Sequence, residues 1–469
     1  MSKIVVMRGF LASSIGVSCA VLTLPLASPA TAAGPVAGAA VPGSTQSLPL
    51  AALTGSRAPE AATERGLAPQ TVRSFSLVGV VWDDPAAGLH GHVRIRTRAK
   101  GTGRWSGWQE LEARNQDHGP DPGSGEGSSR RMRGATAPLW VGASDGVQVS
   151  VRADEAGSGE TRAPRLPDGL HVELVDPGRA PGEDAPTSPE DLAGPAGPAE
   201  VPDAPGADAP DPAVGAGTGA ETITSAVEAG LAPLNDMEIP GPWKGPEESR
   251  KPGRAAGKDT PTEHTRQAYV APRPRIVSRS GWGADESLRE PDFLYTDTVK
   301  AAFVHHTATG NNYTCAQAPS VIRSIYRYHV VSSGWRDIGY NFLVDRCGNI
   351  YEGRAGGVEK PVMGAHTLGF NSDTTGIAVI GTYTSTAPTT AAVDAIARLT
   401  AWKLGLFGVD PRAKTYLESG GGNLYPKGEN VRLNVISGHR DGFATECPGR
   451  LLYGELDLIR LKAARYQGR

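Results

Sequence analysis

The sequence predicts two folded units of different class. An all-β, sandwich-like unit is expected over residues 71–176, and a mixed α/β unit, a central β-sheet flanked by helices, over residues 275–466. In the first, apolar–polar alternation of period two is broken by Gly or Asp about every ten residues, as in a β-sandwich. In the second, strand-like runs alternate with helical spacing. Between them, residues 177–274 are dense in Pro, Ala, Gly, Asp and Glu. Such a composition cannot bury enough surface to offset the entropy of ordering, so a disordered linker is expected.

In the β unit, strands are expected at 76–82, 92–97, 105–111, 146–151 and 171–175. Trp82, Trp105, Trp108 and Trp140 would fill its small core, with a sugar-stacking face as the alternative. Residues 34–70, rich in Ala, Pro, Ser and Gly, are expected to be disordered. The linker of roughly 90 residues would span about 50 Å as a flexible coil. It carries one candidate short helix at 222–231 and would leave the units independent, so that residues from 273 onward act alone.

In the α/β unit, Phe303-Val304-His305 ends an apolar strand. Residues 318–331 carry Val321, Ile322, Ile325 and Tyr328 at helical spacing. Segments 341–345 and 350–354 form a hairpin around Cys347-Gly348-Asn349, and 376–381 is a buried strand. A long helix starts at the Thr389-Thr390 cap and runs through Val393, Ile396, Leu399 and Leu404 to Gly405. A strand at 435–437 and a closing helix at 451–464 complete it.

The chain of 469 residues exceeds one ordinary domain, and its net charge of −3 gives no basic footprint for nucleic acid. At the N-terminus, Lys3 and Arg8 precede an apolar stretch at 10–26, and Ala30-Thr31-Ala32-Ala33 follows. Residues 1–33 therefore read as an export signal peptide, too short and too broken by Ser and Gly for a stable membrane span. Acylation at Cys19 is disfavoured by the lead-in Gly16-Val17-Ser18. The mature protein is expected to be secreted, extracellular or associated with the cell wall, and to be a monomer.

Four cysteines are too few for a disulfide scaffold. With Cys19 removed, Cys315, Cys347 and Cys447 remain, and an odd number points to a functional thiol. Pairing Cys315 with Cys347 would leave Cys447 for metal, provided the Cα atoms of the pair lie within about 7 Å. A Cys447 that is simply buried is the alternative.

His305, His439 and Cys447 are a good zinc set. Three protein ligands leave a fourth tetrahedral position for water, as catalytic zinc sites do. Spacing alone does not establish this, because an apolar strand ending in His-His is more often packing.

Five motifs occur in order: Val304-His305-His306-Thr307-Ala308-Thr309, Asp337-Ile338-Gly339-Tyr340-Asn341-Phe342-Leu343-Val344, Gly364-Ala365-His366, Gly438-His439-Arg440-Asp441 and Ala444-Thr445-Glu446-Cys447-Pro448-Gly449. Together they resemble the peptidoglycan recognition protein and type 2 N-acetylmuramoyl-L-alanine amidase family, over residues 275–466. The resemblance implies a Zn2+ amidase cutting the bond between muramic acid and L-alanine, with peptidoglycan, glycan strand plus stem peptide, as its partner. It places the metal on His305, His439 and Cys447 and the catalytic phenol on Tyr340. Thr445 would support the oxyanion or shape its loop, and His366 and Asn371 would line the substrate groove. His306 and His329 would be structural. The stretch Ser419-Gly420-Gly421-Gly422-Asn423 resembles that of longer actinobacterial-type members and would form a loop on the groove rim.

Two other classes stay open at this point. One is a non-catalytic peptidoglycan-binding protein on the same fold; members that lost catalysis typically lack the cysteine, which this chain keeps. The other is a cysteine hydrolase with Cys447 as nucleophile and His439 as base, which leaves His305 without a role.

Overall fold

The computed structural model describes residues 41–52, 63–113, 117–128, 132–154, 165–180 and 269–469. The export signal, Cys19, most of the 177–274 stretch and the candidate helix at 222–231 lie outside the described residues.

The N-terminal unit is all β. Its strands are β1 (Ser44–Pro49), β2 (Ala51–Ala52), β3 (Glu64–Trp82), β4 (Gly91–Ala99), β5 (Gln109–Leu111), β6 (Gly134–Ala135), β7 (Leu139–Ala153) and β8 (His171–Asp176). The ladder runs β1-β8-β3-β7-β4-β5, antiparallel throughout. Strand β4 shows the expected alternation, with Val93 and Ile95 buried and His92 and Arg94 exposed. Register shifts along β3 at Leu67/Gln70, Thr71/Phe75 and Phe75/Leu77 are the irregularities by which so long a strand can bend.

The expected disorder of residues 34–70 is corrected for residues 41–52 and 63–70, and the rest of that segment lies outside the described residues. Strand β1 pairs with β8 along its whole length, from Ser44 opposite Asp176 to Pro49 opposite His171, and Leu50 is buried in the core. Backbone pairing holds this polar edge strand, so side-chain composition gave no sign of it.

The tryptophans divide. Trp82 is buried in the core of the β unit, and Trp140 is buried where that unit meets the second. Trp105 and Trp108 lie outside that core, with the Arg96 guanidinium 5.4 Å and 5.3 Å from their ring centres.

The C-terminal unit has a mixed sheet ordered β16-β10-β13-β11-β12-β9. These strands are β9 (Ile276–Val277), β10 (Ala301–His306), β11 (Phe342–Val344), β12 (Ile350–Glu352), β13 (Thr374–Val379) and β16 (Ile436–Gly438). A separate hairpin pairs β14 (Lys414–Glu418) with β15 (Asn430–Asn434). The helices are α1 (Ala318–Arg327), α2 (Thr390–Gly405), α3 (Arg450–Tyr453) and α4 (Leu456–Tyr466). Thr389 caps α2 by accepting the Ala392 N–H at 3.2 Å, which supplies a donor the helix cannot satisfy itself.

One sheet face, including Ala302, Val304, Ile377 and Val379, packs on α2 and α4 through Ile396, Leu399 and Ile459. The other, through Leu343 and Ala378, packs on α1. Cys315 and Cys347 form a disulfide with Cα atoms 6.2 Å apart, tying the entrance of α1 to the β11–β12 turn.

The expectation of independent units is also corrected. Leu77, Val81, Trp140 and Val175 of the first unit share a buried core with Val321, Ile322, Ile325 and Tyr328 of the second. Strand β3 is therefore covered on both faces. Val78, Val80 and Trp82 point into their own unit, and Leu77 and Val81 into the other. That explains the unbroken run Leu77-Val78-Gly79-Val80-Val81-Trp82, because a strand buried on both sides has no polar face to alternate.

Tyr328 enters this junction where α1 gives way to one wider turn, Tyr328–Ser332, and its hydroxyl donates to Thr136 O at 3.1 Å. Gly79 makes room for it: a Cβ there would overlap the Tyr328 hydroxyl and ring edge. Gly79→Ala is expected to destabilise the protein by about 1–3 kcal/mol through overpacking. Urea unfolding measures this, and an unchanged midpoint would mean the units do not pack through Tyr328.

Candidate metal centre

Strand parity selects which histidine of the His305-His306 pair enters the site. Side chains on β10 alternate between faces, so His305 shares the face of Phe303 while His306 shares that of Val304. Strand β16 runs parallel beside β10, and His439 opens the short turn that follows it. Asp441 fixes that turn: its carboxylate accepts the Gly438 N–H at 2.9 Å and the Tyr453 hydroxyl at 2.6 Å. The next loop brings Cys447 back, held by Arg440 N–H donating to Cys447 O at 3.1 Å. The Cys447 Sγ accepts the His306 N–H at 3.4 Å and lies 3.8 Å from His305 Nδ1.

The structure adds a fourth donor that sequence reasoning missed. His118, from the first unit, places Nε2 3.7 Å from Cys447 Sγ. Donor atoms of His118, His305, His439 and Cys447 all lie within 4.8 Å of one another. Where three protein ligands and an open position were expected, the cluster offers four protein donor atoms. The sequence offers only Asp117-His118-Gly119-Pro120-Asp121, an ordinary loop with nothing to say which unit it faces.

These residues suit zinc. Imidazole nitrogens and a thiolate are its usual donors. Both ring nitrogens of His439 are buried without hydrogen-bond partners, and a metal contact would satisfy one of them. Cys447 is the free cysteine among the described residues, and it is buried. Burial, reinforced by the facing His439, keeps His305 well below its ordinary value, and burial with His118 brings His439 down to about 3. Both rings are therefore neutral, the form that ligates metal. Burial pushes the Cys447 thiol up, the direction a bound dication reverses.

His366 is corrected from a groove residue to a support behind the site. It is fully buried, and its Nδ1 sits 3.2 Å from His305 Nε2, which leaves His305 Nδ1 turned toward Cys447. Such outer contacts fix ring orientation. Asn371 Oδ1 accepts the His366 and Thr367 N–H groups at 2.7 and 3.1 Å, while its amide faces the His118 loop.

Tyr340 lies beside the metal donors, its ring centre 5.7 Å from that of His305. Burial, with the nearby Cys447, raises its phenol well above the ordinary range, so it stays protonated. The Thr445 hydroxyl accepts the Cys447 N–H at 3.2 Å and so shapes the loop. His306 and His329 stand outside the donor set; their Nδ1 atoms accept the Tyr383 and Gly339 N–H groups at 3.3 and 3.1 Å. The Ser419–Asn423 stretch meets the groove where Gly420 N–H donates to Gly369 O at 2.7 Å.

The family model described as "N-acetylmuramoyl-L-alanine amidase" matches residues 295–450, and one described as "Rv3811 N-terminal galactose-binding domain-like" matches residues 29–183. Peptidoglycan-recognition protein SC2 of Drosophila simulans is 33% identical over 181 residues, which is 39% of this chain and 84% of that relative. The N-acetylmuramoyl-L-alanine amidase of Homo sapiens is 34% identical over 191 residues, 40% of this chain and 28% of the human protein. The solved structure of peptidoglycan recognition protein-LE in complex with tracheal cytotoxin is 33% identical, with a TM-score of 0.31, covering 39% of this chain and 92% of that one. The five motifs lie within the residues that the amidase family model matches, and with the similarity to peptidoglycan-recognition protein SC2 they show that the chain belongs to the peptidoglycan recognition protein and N-acetylmuramoyl-L-alanine amidase family.

Proposed function

We propose that this protein is a secreted, zinc-dependent N-acetylmuramoyl-L-alanine amidase that hydrolyses the amide between N-acetylmuramic acid and L-alanine in peptidoglycan. The observation that carries the reading is Cys447 within reach of His305 and His439, with Tyr340 beside them. Zinc held by these side chains supplies Lewis acidity for the scissile carbonyl and brings the pKa of water towards neutrality. The chain's own residues do the rest. His366 fixes the tautomer and direction of His305. Tyr340, kept protonated by its surroundings, can donate a hydrogen bond to the oxygen on which negative charge develops. Thr445, whose hydroxyl accepts the Cys447 N–H, holds that residue in place and keeps its own O–H available to donate.

Recognition without catalysis is the competing reading, and relatives named recognition proteins give it standing. It leaves the buried thiol and the unpartnered His439 nitrogens without a purpose. A soluble muropeptide separates the two. The amidase reading expects hydrolysis that stops with chelator and returns with zinc, whereas recognition alone expects binding and no cleavage under either condition.

Export is part of the proposal, motivated by the N-terminal charge and apolar pattern. Among the described residues no helix is long and apolar enough to cross a membrane. Protein recovered from culture medium is expected to begin at Gly34, which N-terminal sequencing would check; a chain starting at Met1 would contradict it.

A further inference from the structure

We propose that the loop around His118 is a built-in latch: His118 closes the fourth zinc position, and its neighbours fill the adjoining groove, so that most folded chains are held in an inactive form. This rests on the zinc amidase reading of the same site and adds its regulation.

Several contacts with the second unit converge on this one loop. The His118 side chain is 8% exposed, and its Nδ1 lies 3.1 Å from the Asp117 carboxylate. A carboxylate accepting from Nδ1–H leaves Nε2 bare, the arrangement by which proteins present an imidazole to a metal. Nε2 is the atom facing Cys447. The His118 ring is also 4.5 Å from His439 and 5.9 Å from Tyr340, centre to centre. It therefore stands where a substrate amide would have to approach.

Asp117 O accepts the Leu368 N–H at 2.9 Å, which anchors one end of the loop. Asp121 Oδ1 accepts the Gly369 N–H at 2.6 Å and the Asn371 side-chain amide at 2.8 Å. Asn371 also donates to Gly119 O at 2.9 Å. Asn371 is the side chain that the family resemblance assigns to substrate, and here its amide is spent on the chain's own loop. Beyond it, Glu126 reaches Arg354 at 2.8 Å, both nearly buried.

A fourth protein ligand excludes the water that a catalytic zinc site needs, which turns an open site into a closed one. Attachment to the same chain keeps the local concentration of His118 high, so the closed form prevails until the loop is displaced. Minor conformers usually make up about 0.1–10% of molecules, so freeing the site should raise turnover about 10- to 1,000-fold.

The test uses the full-length, zinc-loaded chain, with X-ray absorption at the zinc edge as a readout independent of activity. Wild type is expected to show one sulfur and three imidazoles. His118→Ala is expected to show one sulfur, two imidazoles and a lighter oxygen donor, with faster hydrolysis of a soluble muropeptide. Asp121→Ala removes the loop's anchor but keeps His118, so it guards against a general folding defect. It should shift the ligand count in the same direction, with a smaller rise in rate. Two imidazoles plus oxygen in wild type would overturn the latch while leaving the amidase intact. Three imidazoles in wild type, with no gain in rate for either variant, would make His118 a structural ligand and also overturn it. Absence of zinc from every form would sink the amidase reading itself, and the latch with it.

Discussion

Cys447→Ser is expected to lose amide hydrolysis, and to lose zinc with it once His118 is also replaced. Serine is a poor zinc ligand near neutral pH, since its hydroxyl does not ionise there as a metal-bound thiol does. The replacement also removes the sulfur that accepts the His306 N–H and faces His305. The fold should survive, because a unit of roughly 200 residues buries an ample core. Zinc content by elemental analysis should fall from one per chain towards zero when the serine is placed in His118→Ala, where two imidazoles remain, and only in part when it is placed in the otherwise wild-type chain, where His118 leaves three; activity should be at background in both variants. A serine variant that keeps stoichiometric zinc and full activity would remove Cys447 from the site.

Tyr340→Phe is expected to fail differently. Its phenol lies beside the donor cluster but belongs to none of the donors, so zinc should stay bound at wild-type content. Turnover should fall by about two to three orders of magnitude, the usual effect of removing one preorganised oxyanion donor. KM should change little, because the lost interaction forms only as charge develops. Full turnover in Tyr340→Phe would leave Tyr340 as a packed core tyrosine. The contrast between the two variants separates holding the metal from using it.

Much of the second unit was legible because its signals are local. The Thr389 cap, the helical spacing of Val393, Ile396 and Leu399, and the apolar β10 run each follow from nearby chemistry. Composition also separated the first unit's alternating strands from the segment that follows them. What the sequence concealed is non-local. Strand β1 is held by pairing with β8, far along the chain, and its polar side chains resemble those of a coil.

The docking of the two units left one readable trace. The run from Leu77 to Trp82 lacks the alternation of a half-exposed strand, and Gly79 within it marks the close approach of Tyr328. Parity on β10 likewise separates His305 from His306 once the strand is placed. His118 had no such trace. Its role depends on where a loop of one unit meets the other, which neither spacing nor composition encodes. The place of His366 behind His305 is hidden for a related reason: a histidine in a recognised motif can support a ligand from behind, which the motif alone does not encode.

The central claim is cleavage of the muramoyl–L-alanine amide by a zinc site, and product mass measures it most directly. Purified peptidoglycan would be digested with the full-length wild type and with His118→Ala, each with and without chelator. The expected products are stem peptides with a free L-alanine amine and glycan strands whose muramic acid carries a free carboxyl, each amide gaining one water. They should form faster with His118→Ala and disappear on zinc removal. Products cut at another bond, no products from either protein, or cleavage that persists after zinc is stripped would contradict the account.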